Sequence, residues 1–159
     1  MLETGTVSTT KEVYNKVVEI LGADETLGEY VDAIYERERD VLGEGKRVVV
    51  MVEPSEVWHI DPYWPTQEIS VVAIVGWIVE PDPNKAINDG ATKQILDLEY
   101  DIKYALAGHP TLDGLCDSFE FYTSKFDRRR RAYGDGAALR RPPLYGVEIY
   151  MEVFHEPEY

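Results

Sequence analysis

Apolar residues recur at steps of three and four along residues 88–108, the clearest periodic pattern in the chain. They are Ala91, Ile95, Leu98, Ile102, Ala105 and Leu106. This spacing places them on one face of an amphipathic helix. Asn88 is a candidate cap for its start, and Gly108, followed by Pro110, predicts an end with glycine in the left-handed conformation. A turn at Asp113-Gly114 then leads into an alternating pattern.

Two capping boxes in the first part of the chain predict two further helices. In each box a threonine is followed three residues later by a glutamate, at Thr9–Glu12 and at Thr26–Glu29. The first helix is predicted to end near Gly22. The second is predicted to continue through the acidic run to residue 42, where Gly43 stops it.

Four stretches have the composition and alternation of strands. They are residues 47–60 with a break at Pro54, 68–79, 118–126 and 145–154. In the third stretch Phe119, Phe121 and Thr123 alternate with Glu120, Tyr122 and Ser124. In the fourth Val147, Ile149, Met151 and Val153 alternate with Glu148, Tyr150, Glu152 and Phe154. The stretch 68–79 is apolar on both faces, which predicts cover on both sides by a helix, a sheet or a partner subunit. The sequence therefore predicts one α+β domain over residues 1–159, with the order ααββαββ. About four mostly antiparallel strands would pack against helices.

A basic segment separates the last two predicted strands. The connection, residues 127–143, is longer than usual, and such loops often carry function. Its arginines are Arg128, Arg129, Arg130, Arg131, Arg140 and Arg141. With Asp135 as the one acid, residues 128–141 carry +5, so the remainder of a chain of net charge −14 carries −19. This asymmetry favours contact between complementary surfaces, such as those of neighbouring copies; a solvated loop is the alternative.

Aromatic residues form a second candidate interface. Trp58, Tyr63 and Trp64 cluster at a strand end and at a proline-rich turn. An exposed aromatic patch there would mark an interface, and a small hydrophobic cluster beneath a loop is the alternative.

Catalytic, metal-binding and cofactor-binding patterns are missing from the sequence. None of His59, His109 and His155 has a second histidine at helical spacing, and no nucleophile elbow or phosphate loop occurs. His109 is predicted to interact with the last carbonyls of the central helix. The single cysteine, Cys116, is predicted to be a small buried residue. We therefore predict no catalytic residue, no metal and no cofactor.

Composition bounds the class of protein. Apolar residues make up 44% of 159, so the chain is predicted to be globular. It has no apolar run long enough to span a membrane and no signal-peptide pattern, which predicts a protein made in a reducing cytoplasm. A net charge of −14 disfavours general affinity for nucleic acid.

The helix and turn between residues 96 and 117 resemble a known family. Ala105-Leu106, Pro110-Thr111-Leu112 and Gly114-Leu115 match a motif of the tail terminator and minor tail protein family of long-tailed bacteriophages. The alternating strand 145–154 resembles that family's last strand. Asp113 stands where a glycine is often seen, the second helix is longer than expected, and the basic segment has no fixed counterpart.

The resemblance implies a structural virion protein of the tail or neck, present in the host cytoplasm during assembly. Copies would form a ring, typically a hexamer, that caps the capsid-proximal end of the tail tube and ends its polymerisation. Its partners would be the tail tube protein and the head–tail connector or neck protein, with no membrane. DNA would pass through the lumen without specific binding, and we expect exposed acids on the sheet to repel it. The basic segment would be the docking element.

Three alternatives stay open on the sequence alone. One is another neck, head-completion or tail tube component with the same architecture. The second is a small acidic enzyme using acids near His59, and the third is an acidic DNA-mimicking inhibitor.

Overall fold

Five strands and three helices make up the described part of the chain, which comprises residues 6–36, 46–59, 67–129 and 144–157 of a computed structural model. The helices are α1 (Thr10–Ala23), α2 (Glu25–Gly28) and α3 (Ile95–Ala107). The strands are β1 (Ala33–Tyr35), β2 (Val48–His59), β3 (Glu68–Val79), β4 (Ser118–Arg129) and β5 (Leu144–His155). The α+β class is confirmed.

The strands form one sheet in the order β1-β2-β3-β5-β4. All neighbours are antiparallel except the short β1, which pairs in parallel with β2. The predicted sheet of about four strands therefore has a fifth. β2 is continuous through Pro54, where sequence predicted a break, because a β-bulge between Pro54 and Glu56 keeps the two halves in register with β3.

The prediction of a long second helix is wrong. α2 is a single turn, and its cap is Asp24, whose carboxylate accepts the Leu27 N–H at 3.0 Å. The chain then turns into β1, and the Asp32 carboxylate accepts the Arg47 N–H at 2.7 Å. These hydrogen bonds hold the chain after α2 in a strand, and they outweigh the helical pattern of its sequence. Residues 37–42 of the predicted helix lie outside the described residues.

The central helix begins later than predicted, at Ile95 instead of Asn88. The backbone N–H groups of Ile95 and Leu96 donate to the carbonyls of Ala86 and Ile87, at 3.4 and 3.2 Å. Residues 88–93 therefore form a loop that returns to the start of the helix, and Ala91 is exposed there.

Buried polar groups fix the start of α3 to the sheet. Gln94 is fully buried, and its amide donates to Glu80 at 2.8 Å. Arg47 in turn donates to the Gln94 oxygen at 2.7 Å and to Glu80 at 3.3 Å. The Gln94 hydrogen bond, followed by those of the Asp82 N–H and Arg47, lowers the pKa of Glu80 despite its burial.

The helices cover one face of the sheet and form the main core there. The predicted apolar stripe of α3 is buried at five of its six positions: Ile95, Leu98, Ile102, Ala105 and Leu106. α1 contributes its own buried stripe, and both pack on alternate residues of β2, β3 and β5. Gly76 allows this approach, because a Cβ there would lie 2.5 Å from Leu98 Cδ2.

A second apolar cluster lies on the opposite, helix-free face of the sheet. It contains Val49, Met51, Val75, Trp77 and Leu144. Trp77 is only 1% exposed, and its ring lies over Gly146 of β5, where an added Cβ would be 2.6 Å from a ring carbon. β3 is therefore buried on both faces, as its continuous apolar sequence predicts.

Candidate functional site

The predicted aromatic interface is only partly within the described residues. Trp58 lies near the end of β2 and is 59% exposed. Its indole N–H donates to the Glu56 carboxylate at 2.7 Å. Tyr63 and Trp64 lie outside the described residues, so the structure places one member of the patch on the surface.

The basic segment begins in a strand, where a loop was predicted. Sequence predicted a loop from residue 127, but β4 extends to Arg129, and the backbones of Arg128 and Arg129 pair with Tyr145 and Leu144. The loop prediction is wrong for residues 127–129, because β5 offers them a continuous antiparallel partner. The remaining predicted residues lie outside the described residues: Arg130, Arg131, Arg140 and Arg141.

The helix-free face carries a row of carboxylates, which we call the acid row: Glu56, Glu152 and Glu120. Val71 of β3 pairs with both Glu56 and Glu152, and Glu152 pairs with Glu120 across β4 and β5. Neighbouring strands are about 4.8 Å apart, so the row spans about 14 Å. Glu56 and Glu120 are exposed, and Val71 between them is buried.

Aromatic rings border the acid row. Tyr122 is 51% exposed, and its ring centroid lies 5.7 Å from that of Tyr150. Desolvation, followed by the charges of Glu152 and Glu56, raises the pKa of Tyr122. The ammonium of Lys125 lies 5.4 Å from the centroid of the Tyr150 ring. The face therefore combines negative charge with rings that already accept a cation.

Sequence alternation identified part of this face. It placed Glu148, Tyr150 and Glu152 on one side of β5, which the strand pairing confirms. It also placed Ser124 on the same side of β4 as Glu120, which is wrong. A β-bulge between Phe121 and Thr123 moves Ser124 to the helix side, where it donates to Glu99 at 3.1 Å.

The turn after α3 is tight and largely built from its own hydrogen bonds. Gly108, predicted to be left-handed, has φ −69° and continues the helical conformation. The positive φ angles fall instead on Leu112, Asp113 and Gly114, at 48°, 57° and 90°. The Thr111 carbonyl accepts three N–H groups of the turn, those of residues 114, 115 and 116.

Side chains anchor this turn to the helices. Leu112 is fully buried in the main core. The backbone N–H of His109 donates to the Leu106 carbonyl at 2.9 Å, as predicted, but its ring lies 2.7 Å from the Asp113 carboxylate. His109, and then Lys16 at 3.7 Å, lower the pKa of Asp113.

An open pocket of about 410 Å³ lies between this turn and the first two helices. Four carboxylates line it together with His109: those of Glu19, Asp24, Glu25 and Asp113. Asp24 and Asp113 are engaged in the helix cap and the histidine contact described above. The pocket therefore presents negative charge that could attract a cation.

A serine–histidine–glutamate network lies inside the fold, and sequence reasoning missed it. His155 is fully buried; its Nε2 is 2.7 Å from the Ser70 hydroxyl and its Nδ1 is 3.1 Å from the Ser8 carbonyl. The Thr10 hydroxyl lies 2.9 Å from the Ser70 hydroxyl and donates to Glu68 at 2.9 Å, which connects the glutamate to the pair. Ser70 is also fully buried, so a substrate cannot reach this hydroxyl, and the network joins the N-terminal segment to the sheet.

Neither a metal site nor a membrane-spanning helix is found among the described residues. Within residues 6–36, 46–59, 67–129 and 144–157, no three His, Cys, Asp or Glu side chains could hold a metal ion together. Over the same ranges, none of the helices has the length and apolar character that a membrane crossing requires.

The thiol of Cys116 is expected to be almost unreactive in the folded protein. It is fully buried, as predicted, and burial, together with Asp117, raises its pKa to about 11. The thiolate is the reactive form, so at about pH 8 a disulfide reagent should label the native protein roughly a hundredfold more slowly than the denatured protein. Equal labelling rates with and without concentrated guanidinium chloride would contradict this packing.

Known proteins offer little sequence similarity. No protein-family model matches the chain, and no curated protein matches it. A chain in a solved structure described as "Virion of native gene transfer agent (GTA) particle" is similar over 91% of this chain and 94% of its own length. Identity is 17% and the TM-score is 0.45, values at which the likeness carries no inference about function.

Proposed function

We propose that this chain is a structural subunit of a virion-like particle whose copies form a ring on the capsid-proximal end of a tail tube. The ring ends tube polymerisation and presents the surface that joins the tail to the head. The turn after α3 is the observation that carries this proposal. Residues 110–115, where the sequence resembles the family motif, form a hydrogen-bonded connection between α3 and β4, and Leu112 anchors it in the core.

The surface of the fold suits a ring made of identical copies. A ring needs two different patches on each subunit that fit each other. The acid row lies on the helix-free face of the sheet. Leu96, Tyr100 and Tyr104 lie along the outer side of α3, exposed by 43%, 61% and 67%. The two tyrosine rings stack at 5.8 Å, and such exposed aromatic residues favour an interface.

The proposed role is mechanical and needs no cofactor. Its partners are further copies of the chain, the tail tube protein and a neck protein. DNA would traverse the lumen without specific binding, because a chain of net charge −14 repels phosphates. We propose no catalytic activity.

Tube growth in the presence of the purified protein tests this function. Tail tube protein of the same particle is allowed to polymerise with and without this chain, and tube lengths are measured by negative-stain imaging. We expect growth to stop at substoichiometric amounts, with density on one tube end only. An unrelated globular protein of similar net charge is the control.

Two other outcomes would replace the proposal. Long tubes formed by this chain alone would identify a tube protein. Unchanged tube growth, together with binding to a neck protein, would identify another neck component.

A further inference from the structure

The acid row places like charges at facing positions, and no counter-charge pairs with them among the described residues. Glu120 and Glu152 pair directly across β4 and β5, and neither forms an ion pair within the described ranges. Like charges directly opposite each other destabilise a sheet. Among the described residues Lys125 forms no ion pair with either carboxylate. Its backbone faces that of Glu148, further along the strands, and its ammonium lies over the Tyr150 ring. This repulsion therefore lowers the stability of the single chain, and a cationic partner would remove it.

The chemistry around the row suits arginine. A guanidinium binds carboxylates through paired N–H donors and stacks on aromatic rings. Trp58 and Tyr122 lie beside the row and are both more than half exposed. The contact between Lys125 and Tyr150, at 5.4 Å, shows that the rings of this face accept a cation.

We propose that the acid row of one copy binds the basic segment of a second copy. The segment, residues 128–141, carries +5 in a chain whose remaining residues carry −19. It contains most of the arginines of the chain, so a second copy supplies the complementary charge directly. The contact joins two different patches, as the ring requires, and this inference rests on the proposed function.

The segment cannot reach the acid row of its own chain. Glu152 lies eight residues along β5 from Leu144, which is about 26 Å. The arginines outside the described strands lie at most four residues from a strand end, because Arg140 precedes Leu144 by four and Arg131 follows Arg129 by two. Four extended residues span at most about 14 Å, and the remaining gap of about 12 Å exceeds the length of an arginine side chain.

A charge swap between two full-length variants tests the contact. The row variant carries Glu56→Arg, Glu120→Arg and Glu152→Arg. The segment variant carries Arg130→Glu, Arg131→Glu, Arg140→Glu and Arg141→Glu. A control with Glu19→Arg, Glu25→Arg and Glu29→Arg makes the same charge change as the row variant at exposed positions on the helical side. Circular dichroism and thermal melting check that each variant folds.

Association is measured by sedimentation velocity, and particle mass by light scattering. We expect each variant alone to associate at least about tenfold more weakly than the natural chain, with the control unchanged. Mixing the two variants should restore association to within a few-fold, because each positive patch then meets a negative one on the other chain. Higher salt should weaken the natural contact.

Three results would overturn the proposal, and they differ from a failure of the ring. They are undiminished association of the row variant, a mixture that stays as weak as its components, and rings of the row variant that now retain DNA. The third would place the acid row on the channel wall, as the sequence led us to expect. Restored association that stops at pairs would support this contact while contradicting the ring.

Discussion

Replacing Trp77 with alanine is expected to lower the free energy of unfolding by about 3–5 kcal/mol, the range for truncating a buried aromatic residue. The side chain is 1% exposed and belongs to the cluster on the helix-free face. Gly146 leaves the space that its ring fills, since a Cβ there would lie 2.6 Å from a ring carbon. Urea unfolding followed by circular dichroism measures the loss.

Trp58→Ala is the matched control. Trp58 is the same residue type on the same sheet face, but it is 59% exposed. Its loss should change stability by at most about 0.5 kcal/mol, the range for surface substitutions. Equal destabilisation by the two substitutions would contradict the burial of Trp77.

Leu112→Ala is expected to cost about 2–5 kcal/mol, because it empties a fully buried position in the turn that carries the family motif. The residue holds a φ of 48°, a conformation that leucine rarely adopts, and core burial compensates for this strain. Without that anchor the turn should open. Amide hydrogen exchange of the N–H groups bonded to the Thr111 carbonyl should therefore accelerate along with the loss in unfolding free energy.

Leu96→Ala is the control for this second prediction. Leu96 lies on α3 and is 43% exposed, so its truncation should leave both stability and the exchange in the turn nearly unchanged. Retained stability of Leu112→Ala would show that the motif residue contributes little to the fold.

Local sequence patterns correctly predicted the helices and strands that depend mainly on local interactions. The bounds of β3 match residues 68–79, because an apolar run rich in β-branched residues favours a buried strand. α1 follows its capping box, in which Thr9 and Glu12 bond each other as predicted. The prediction of the second helix was wrong where Asp32 forms a hydrogen bond with a distant part of the chain. The predicted start of α3 was wrong because a returning loop accepts hydrogen bonds from its first N–H groups.

Left-handed residues also differed from the prediction for a physical reason. Sequence assigned that conformation to Gly108, the residue that adopts it at least cost. The structure places it at Leu112 and Asp113, where burial of one side chain and the histidine contact of the other stabilise it. Such stabilisation depends on tertiary contacts that a local pattern does not contain.

The candidate surface was predictable only in part. Alternation along β5 identified the side that bears Glu148 and Glu152. The facing of Glu120 and Glu152 depends on strand register, and the β-bulge after Phe121 alters the alternation in β4. Charge counting identified the basic segment without showing that its own chain cannot bring it to the acid row.

The mass and shape of the purified particle test the central claim most directly. Light scattering and negative-stain imaging over a range of concentrations, with and without tail tubes, give both quantities. We expect closed rings of about six copies, either free or formed on tube ends, as the family resemblance implies; a heterologous contact whose rotation closes would produce such a ring. A monomer at every concentration, indifferent to tubes, would contradict the account.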